Sequence, residues 1–166
     1  INERLSILKN CQKIVFVSEW VKSRFFLDLD KKLTTKTEVI YPSVNKQKTV
    51  KKQKIVTFVG RLNHSKGYDI FKKAIIKILD EFPKWKALSI GNEERRKIFI
   101  DHNQHEELGF LNHKKTLHIL FKSEIAVIPS KWEEPFGRTA LEASSCGCAT
   151  IISNRGGLTE TINNPI

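Results

Sequence analysis

Residues 124–147 read "EIAVIPSKWEEPFGRTALEASSCG" and combine an apolar run, a polar loop and a second periodic segment. The apolar run 124–129 predicts a short buried strand. A helix is predicted over 137–147, because glycine is a common residue where helices end and Gly147 closes this segment. A strand that leads through a loop into a helix is the repeating unit of a parallel sheet covered by helices.

The rest of the chain repeats this alternation. Apolar runs predict strands over 13–18, 37–45, 55–60, 86–91, 106–111, 124–129 and 149–154. Helical spacing predicts helices over 19–29, 69–82, 93–102, 113–123, 137–147 and from near Leu158 onward. Strands and helices that alternate with short connections predict a doubly wound, Rossmann-like parallel α/β sheet, whose ligands bind beyond the carboxyl ends of the strands.

Composition limits the classes of protein to which the chain can belong. Its 166 residues are 40% hydrophobic and 28% charged, which is ordinary for a globular domain. No apolar run approaches the roughly 18 to 20 residues that a membrane helix needs, and the first residues do not form a signal peptide. The chain contains no methionine and begins with Ile1, so we expect a fragment of a longer protein.

The cysteine content and the net charge limit the cellular compartments and the binding partners that can be expected. Three cysteines, Cys11, Cys146 and Cys148, form no paired framework, which favours a reducing, cytoplasmic compartment. Cys-Gly-Cys without nearby histidine ligands is a poor metal site. The net charge of +11 attracts anions, but the basic pairs are scattered and accompany no recognition motif. We therefore expect no nucleic-acid partner, and we include peripheral contact with an anionic cytoplasmic membrane face among the expectations.

The loop in "FVGRLNHSKGYD" (58–69) follows a predicted strand and precedes a predicted helix. Arg61 and Lys66 then lie beside a helix N-terminus, which itself favours anions. Arginine can bind a phosphate through two hydrogen bonds, and lysine binds it as a point charge. The spacing is not that of a P-loop. Two ordinary surface cations on a loop are the alternative interpretation.

The loop in "PSKWEEPFGRTALEA" (129–143) places two carboxylates around a helix start. Glu134 precedes the helix, and Glu142 lies about one turn inside it. The free amides of Gly137, Arg138 and Thr139 would point into the crevice at the sheet edge. A solvated carboxylate at Glu142 and a favourable helix-start charge at Glu134 are the simpler explanations. "LGFLN" (108–112) and "SNRGGLTE" (153–160) follow other predicted strands without distinctive chemistry.

Four of these stretches, in order, resemble the C-terminal half of the retaining GT-B glycosyltransferases of family 4, the group 1 type. They are "VIYPSVN", "VGRLNHSKG", "PSKWEEPFGRTALEASSCG" and "SNRGGLTE". The resemblance runs from about residue 13 to the end of the chain. It departs from the family at "YPSVN", where the family usually has Asn-Gly after proline, and at "SCGCATII", where it more often has Gly-x-Pro-Val.

The resemblance implies a nucleotide-diphosphate sugar as donor substrate and no metal or other cofactor. In the family, the residue matching Glu134 contacts hydroxyls of the transferred sugar, and the residue matching Glu142 holds the ribose hydroxyls. Arg61 and Lys66 match the pair that neutralises the diphosphate, and Gly109, Phe110 and Leu111 would meet the base. The predicted catalytic residues are Arg61, Lys66 and Glu134, and the donor-binding residues are Glu142, Phe136, Gly137, Arg138, Thr139, Gly109, Phe110 and Leu111.

The resemblance also divides the chain. Residues 1–35 would be the tail of an N-terminal acceptor domain, 36–54 a linker strand and basic loop, and 55–166 a nucleotide-sugar-binding domain truncated at its C-terminus. A saccharide or lipid-linked acceptor, as in polysaccharide biosynthesis, would bind through the absent domain. The chain alone is therefore expected to bind donor weakly and to transfer nothing.

Three other functions remain open at this point. A nucleotide-sugar epimerase of the same fold would carry acids and histidines in another arrangement, and Glu-Pro-Phe-Gly argues against it. A non-catalytic nucleotide-binding module would keep the crevice without transferring a sugar. A basic nucleic-acid binder would respond steeply to salt.

Overall fold

The computed structural model of the protein describes residues 8, 10–27, 36–45, 50–95 and 98–163. The strands are β1 (Ile14–Phe16), β2 (Thr37–Val39), β3 (Gln53–Val59), β4 (Lys86–Ile90), β5 (His105–Glu107), β6 (Ser123–Ile128) and β7 (Ala149–Ile152). The helices are α1 (Glu19–Phe25), α2 (Tyr68–Glu81), α3 (His113–Lys122), α4 (Arg138–Ser145) and α5 (Glu160–Asn163), with a 3₁₀ turn at Gly156–Thr159 before α5.

Five strands form one sheet in the order β5-β4-β3-β6-β7, and all neighbouring pairs are parallel. The order reverses at β3, between β4 and β6. In such a sheet the loops that follow β3 and β6 diverge at the carboxyl edge and leave a crevice between them. Strands β1 and β2 pair in parallel with each other and form a separate two-stranded sheet.

The sheet is covered on both faces because its strands present alternate residues to each side. On β6, Ile125 and Val127 pack against the buried cluster that includes Phe58 and residues of α2. Ala126 and Ile128 belong to a second buried cluster with residues of α3 and α4. Helices on both faces of a parallel sheet are the doubly wound α/β architecture that the alternation of elements predicts, so the predicted fold class is confirmed.

Most of the predicted elements are present with shifted ends. The helix predicted over 69–82 is α2. Its helical spacing predicts one apolar face, of which Phe71, Ile75 and Leu79 are buried, whereas Ile78 and Phe82 are exposed. The predicted strand 106–111 is shorter, and the strand predicted over 37–45 ends at Val39. The last two residues of the helix predicted over 19–29 and the first four of the basic loop 46–54 lie outside the described residues.

The helix predicted over 93–102 is wrong for the residues that the structure describes, since 93–95 and 98–102 contain no helical segment. Ile98 and Ile100 both pack against the cluster under α2, whereas Phe99 between them is exposed. Side chains two residues apart on one side require extended backbone, because in a helix they would point about 200° apart. Core packing therefore overrides the helical propensity of the charged residues that precede them.

The polar, basic stretch 46–54 has no hydrophobic periodicity and therefore predicts an exposed loop, but Lys52 within it is half-buried. Its Nζ donates hydrogen bonds to the carbonyl oxygens of Leu120 at 3.2 Å, Phe121 at 2.9 Å and Cys146 at 2.6 Å. These carbonyls lie at the C-terminal ends of α3 and α4, which carry partial negative charge. One cation therefore caps two helices and joins them on the same face of the sheet.

The two cysteines near this lysine are part of the packing. Cys146 and Cys148 are buried, and the Cys148 Sγ–H donates to the Leu120 carbonyl at 3.0 Å. Burial raises the pKa of Cys148 to about 11, so its thiol stays protonated near neutral pH. A metal ion requires the thiolate, and within the described ranges no cluster of three metal-ligating side chains occurs.

We expect the Lys52→Met substitution to destabilise the fold by about 1–3 kcal/mol, because it keeps the aliphatic stem but leaves buried helix-end carbonyls without a donor. Urea unfolding followed by circular dichroism measures this difference. Lys51→Met is the matched control, since Lys51 is its exposed neighbour. Equal unfolding midpoints for the two variants would contradict the capping role.

Candidate functional site

The loop between β3 and α2 reaches the loop that follows β6 at one tight contact. Gly67, the N-cap of α2, has φ of 71°, and a Cβ added there would lie 1.9 Å from the carbonyl oxygen of Pro129. Only glycine allows this approach and this backbone conformation together. The Lys-Gly pair of the sequence therefore holds the two loops against each other and directs Lys66 toward the second loop.

Lys66 and Glu134 meet across these loops. The Lys66 Nζ lies 2.5 Å from Glu134 Oε1, and the hydroxyl of Ser130 donates to the same oxygen at 2.8 Å. The Glu134 side chain is 14% exposed and that of Lys66 is 27% exposed. A partly buried ion pair with an additional hydroxyl donor is held in one geometry more firmly than a surface pair.

The Gly-Gly turn before α5 packs against the backbone of the loop that carries Glu134. The amide of Gly157 donates to the Glu134 carbonyl at 2.7 Å, and a Cβ on Gly157 would lie 2.3 Å from the Pro135 carbonyl oxygen. The buried hydroxyl of Ser18 donates to that same carbonyl at 2.5 Å. The turn is therefore more than a connection between β7 and α5, because it fixes the backbone beneath Glu134.

A cavity of about 380 Å³ opens beside this ion pair at the carboxyl edge of the sheet. It lies between the ends of β3 and β6, at the reversal of strand order where such sheets bind ligands. Six of the predicted site residues line it: Lys66, Glu134, Phe136, Gly137, Arg138 and Thr139. Gly60 and Ser130 line it as well.

Helix α4 begins at this cavity. Gly137 is its N-cap with φ of 103°, and Arg138 and Thr139 are its first residues. The first amides of a helix have no partner inside the helix, so the start of α4 presents donors and partial positive charge. Phe136 is buried and packs against Tyr41 with ring centroids 5.7 Å apart. It forms part of the wall rather than an exposed contact surface.

Glu142 lies one turn into α4 and does not line the cavity itself. Its side chain is 12% exposed, and its Oε1 accepts from His113 Nε2 at 3.2 Å and from an Arg138 guanidinium nitrogen at 3.3 Å. The sequence identified Glu142 and Arg138 but not His113, which comes from α3. His113 directly follows the capping residue Asn112, and that position was the only available signal.

Arg61 follows Gly60 at the same edge but is exposed and does not line the cavity. Its charge is close enough to Glu93 to contribute to the lowered pKa of that carboxyl, which comes mainly from a hydrogen bond donated by Asn63. Asn63 also accepts hydrogen bonds from the hydroxyl of Ser65 and the amide of Lys66. Asn63 thus orders the loop that carries both predicted cations.

The predicted base-contacting residues lie at the end of β5. The Gly109 carbonyl accepts from the Gly91 amide at 2.8 Å, and the Phe110 side chain is 78% exposed. Leu111 lines a separate groove beside α3. These residues share the carboxyl edge of the sheet with the cavity but do not line it.

Ser130, Asn63 and Ser18 are site-forming residues that the sequence did not identify as such. Ser130 is buried, and its place directly after the proline at the end of β6 was a usable signal. Ser18 acts across 117 positions of the chain, so no local pattern could reveal it.

The fold and this cavity define a parallel α/β domain of the type found in GT-B glycosyltransferases. Residues 42–165 match the family model described as glycosyl transferases group 1. The match covers well over half of the sequence, so the chain belongs to this family.

Curated relatives support the same assignment. The chain is 36% identical over 122 residues to an uncharacterized glycosyltransferase from Methanocaldococcus jannaschii, covering 69% of this chain and 30% of that protein. It is 33% identical over 114 residues to glycogen synthase from Mycobacterium tuberculosis, covering 64% of this chain and 27% of the relative. The chain thus spans less than half the length of these relatives.

Solved structures share the fold. A glycosyltransferase from Rickettsia africae superposes with a TM-score of 0.74 at 23% identity, over 92% of this chain and 47% of that one. Anabaena HepE, solved in complex with UDP-glucose, superposes with a TM-score of 0.72 at 20% identity, over 90% and 47%. Within the described part of the present chain, no helix combines the length and apolar character needed to cross a bilayer.

We expect Gly157→Ala to displace the loop beneath Glu134, since its Cβ would meet the Pro135 carbonyl at 2.3 Å. Overpacking of this kind costs about 1–3 kcal/mol. Hydrogen exchange should show lost protection at the Gly157 amide itself. Gly109→Ala is the comparison, because it imposes a strained φ of 66° in open space. If Gly157→Ala keeps full protection of that amide, the supporting role is wrong.

Proposed function

We propose that the chain is the donor-binding part of a glycosyltransferase that transfers a sugar from a nucleotide-diphosphate sugar with retention of anomeric configuration. The observation that carries the proposal is the cavity at the sheet edge, where Lys66, Glu134 and the start of α4 converge. The cation and the helix amides suit the diphosphate of such a donor, and the carboxylate suits its sugar hydroxyls.

The diphosphate is proposed to lie between Lys66 and the first turn of α4. Lys66 and the amides of Arg138 and Thr139 would supply positive charge inside the cavity, and Arg61 would add charge from the loop that carries Lys66. Lys66 is bonded to Glu134 in the structure. A bound diphosphate would therefore share this lysine with Glu134 or draw it away.

The two carboxylates are proposed to hold different rings. Glu134 faces the cavity and would accept hydrogen bonds from hydroxyls of the transferred sugar. Glu142 lies further along α4 and would accept from the ribose hydroxyls. The loop Gly109–Leu111, at the neighbouring strand end, would lie against the base.

The reaction breaks the bond between the anomeric carbon and the phosphate oxygen, and its electron pair passes to the leaving diphosphate. Lys66, Arg61 and the α4 amides would stabilise this charge, as donors fixed before the reaction do in an oxyanion site. The acceptor hydroxyl attacks from the face that the diphosphate leaves and gives its proton to a leaving phosphate oxygen. Neither Glu134 nor Glu142 has to become a covalent nucleophile.

The solved complexes of Anabaena HepE contain UDP, UDP with glucose, or UDP-glucose, which supports a nucleotide sugar as the ligand of this fold. A saccharide or lipid-linked acceptor, a place in polysaccharide biosynthesis, and a cytoplasmic location at an anionic membrane face stay predictions. The acceptor would bind through sequence that this chain does not contain. We accordingly expect no transfer by this chain alone, because an acceptor that is not held near the anomeric carbon loses the contribution of proximity.

The two carboxylates give a test of the proposal. We expect Glu142→Ala to weaken binding of a nucleoside diphosphate alone by about tenfold or more, because a hydrogen bond to a charged acceptor contributes about 1.5–3 kcal/mol. Glu134→Ala should chiefly reduce the additional affinity that the sugar confers. NMR titration of the chain with UDP, GDP and ADP and with their glucose conjugates measures both quantities.

Glu133→Ala is the matched control, since Glu133 is the adjacent acid and binds Arg155 at 3.2 Å outside the cavity. It should change neither quantity. Equal losses with and without the sugar for both Glu134→Ala and Glu142→Ala would refute the assigned roles.

Donor binding is expected to need no divalent metal, because Lys66, Arg61 and the α4 amides supply the positive charge. Nucleotide affinity measured after dialysis against EDTA should equal that measured with added Mg²⁺. Affinity that disappears with EDTA and returns with Mg²⁺ would show that the charge of the site is incomplete without an ion.

A further inference from the structure

The Glu142 carboxylate is held from a second helix. His113, the first residue of α3, reaches across to Glu142 on α4 with 3.2 Å between Nε2 and Oε1. The Glu142 side chain is only 12% exposed, whereas that of His113 is 62% exposed. Because a carboxylate only accepts hydrogen bonds, His113 Nε2 must be the donor of this one.

The position of His113 is set by the structure around it. Asn112 caps α3 by accepting from the Lys115 amide at 3.0 Å, so the first turn has a defined geometry. Helices α3 and α4 share one buried cluster that includes Leu120 and Ala143. The packing of α3 against α4, rather than a loop, therefore places His113 beside Glu142.

Arg138, the second partner of Glu142, restrains the carboxylate less than His113 does. Arg138 lies one turn earlier on the same helix, its side chain is 72% exposed, and one of its nitrogens is 3.3 Å from Oε1. Exposed pairs at this spacing hold side chains only loosely. Both His113 and Arg138 contact Oε1, so neither of these two hydrogen bonds occupies Oε2.

We propose that His113 is a positioning residue that holds the Glu142 carboxylate for the ribose hydroxyls of the nucleotide. The pair would make the site select ribonucleotides over nucleotides that lack those hydroxyls. This inference rests on the proposed function, since it takes Glu142 as the ribose-binding acid. It goes further by assigning the orientation of that acid to a residue of α3.

The test compares ligands that differ only at the ribose. UDP, GDP and ADP and their 2′,3′-dideoxy counterparts are titrated into the chain, and binding is followed by NMR. The ribonucleotide that binds most tightly and its dideoxy counterpart are then used with the variants. We expect His113→Ala to weaken binding of the ribonucleotide about three- to tenfold, which is less than the loss expected for Glu142→Ala because the carboxylate itself remains. Binding of the dideoxy nucleotide should stay within about twofold.

Two further variants control the experiment. His113→Gln keeps an N–H donor near the position of Nε2 and should recover most of the affinity. His118→Ala removes an exposed histidine from the same helix and should change neither ligand. Thermal unfolding of each variant checks that the fold is retained.

The outcomes separate the two proposals. If Glu142→Ala weakens both ligands equally or neither, the ribose role of Glu142 is wrong and the proposed function loses that assignment. If Glu142→Ala distinguishes the ligands but His113→Ala does not, or His113→Ala weakens both equally, the positioning role is overturned. If none of the three ribonucleotides binds, both proposals fail together.

Discussion

The approach of Gly67 to the carbonyl of Pro129 determines where the other groups of the site can lie. The two residues belong to loops that leave the sheet on either side of its reversal in strand order. A Cβ at position 67 would lie 1.9 Å from that carbonyl oxygen, so any larger residue would force one of the two loops to shift. Lys66 lies next to Gly67 and Glu134 lies on the second loop, so this backbone contact constrains the two elements that carry the opposite charges.

The pairing of Lys66 with Glu134 fixes the geometry of both side chains, but it also reduces the positive charge that Lys66 can offer to a ligand. The chain carries a net charge of +11, yet the best-defined cation of the cavity is neutralised by a neighbouring acid. Desolvating both groups is tolerated because Ser130 supplies a further donor to Glu134. Under the proposed function, an anionic ligand would gain less from Lys66 than from an unpaired lysine. A ligand that carries both phosphate and hydroxyls for Glu134 would then bind better than a simple phosphate.

The sequence predicted the sheet, the helix over 69–82 and six of the residues that line the cavity, because apolar periodicity and strand ends are local properties. It failed where a distant part of the chain decides the outcome. The segment containing Ile98 and Ile100 is extended because the core under α2 takes alternate side chains. Lys52 was assigned to solvent because nothing near it in sequence indicates two helix ends. His113 likewise acquires its contact only when α3 packs against α4.

Although β1 and β2 form a sheet of their own, the N-terminal segment is hydrogen-bonded to α5 and to the loop that carries Glu134. Glu160 of α5 accepts hydrogen bonds from the amides of Glu19 and Trp20 at the start of α1, and Ser18 donates to the Pro135 carbonyl. The family match begins only at residue 42. An expression fragment cut at that boundary would lose all three of these donors. The segment that the family model matches is therefore shorter at its N-terminal end than the unit that keeps these contacts to α5 and the site loop.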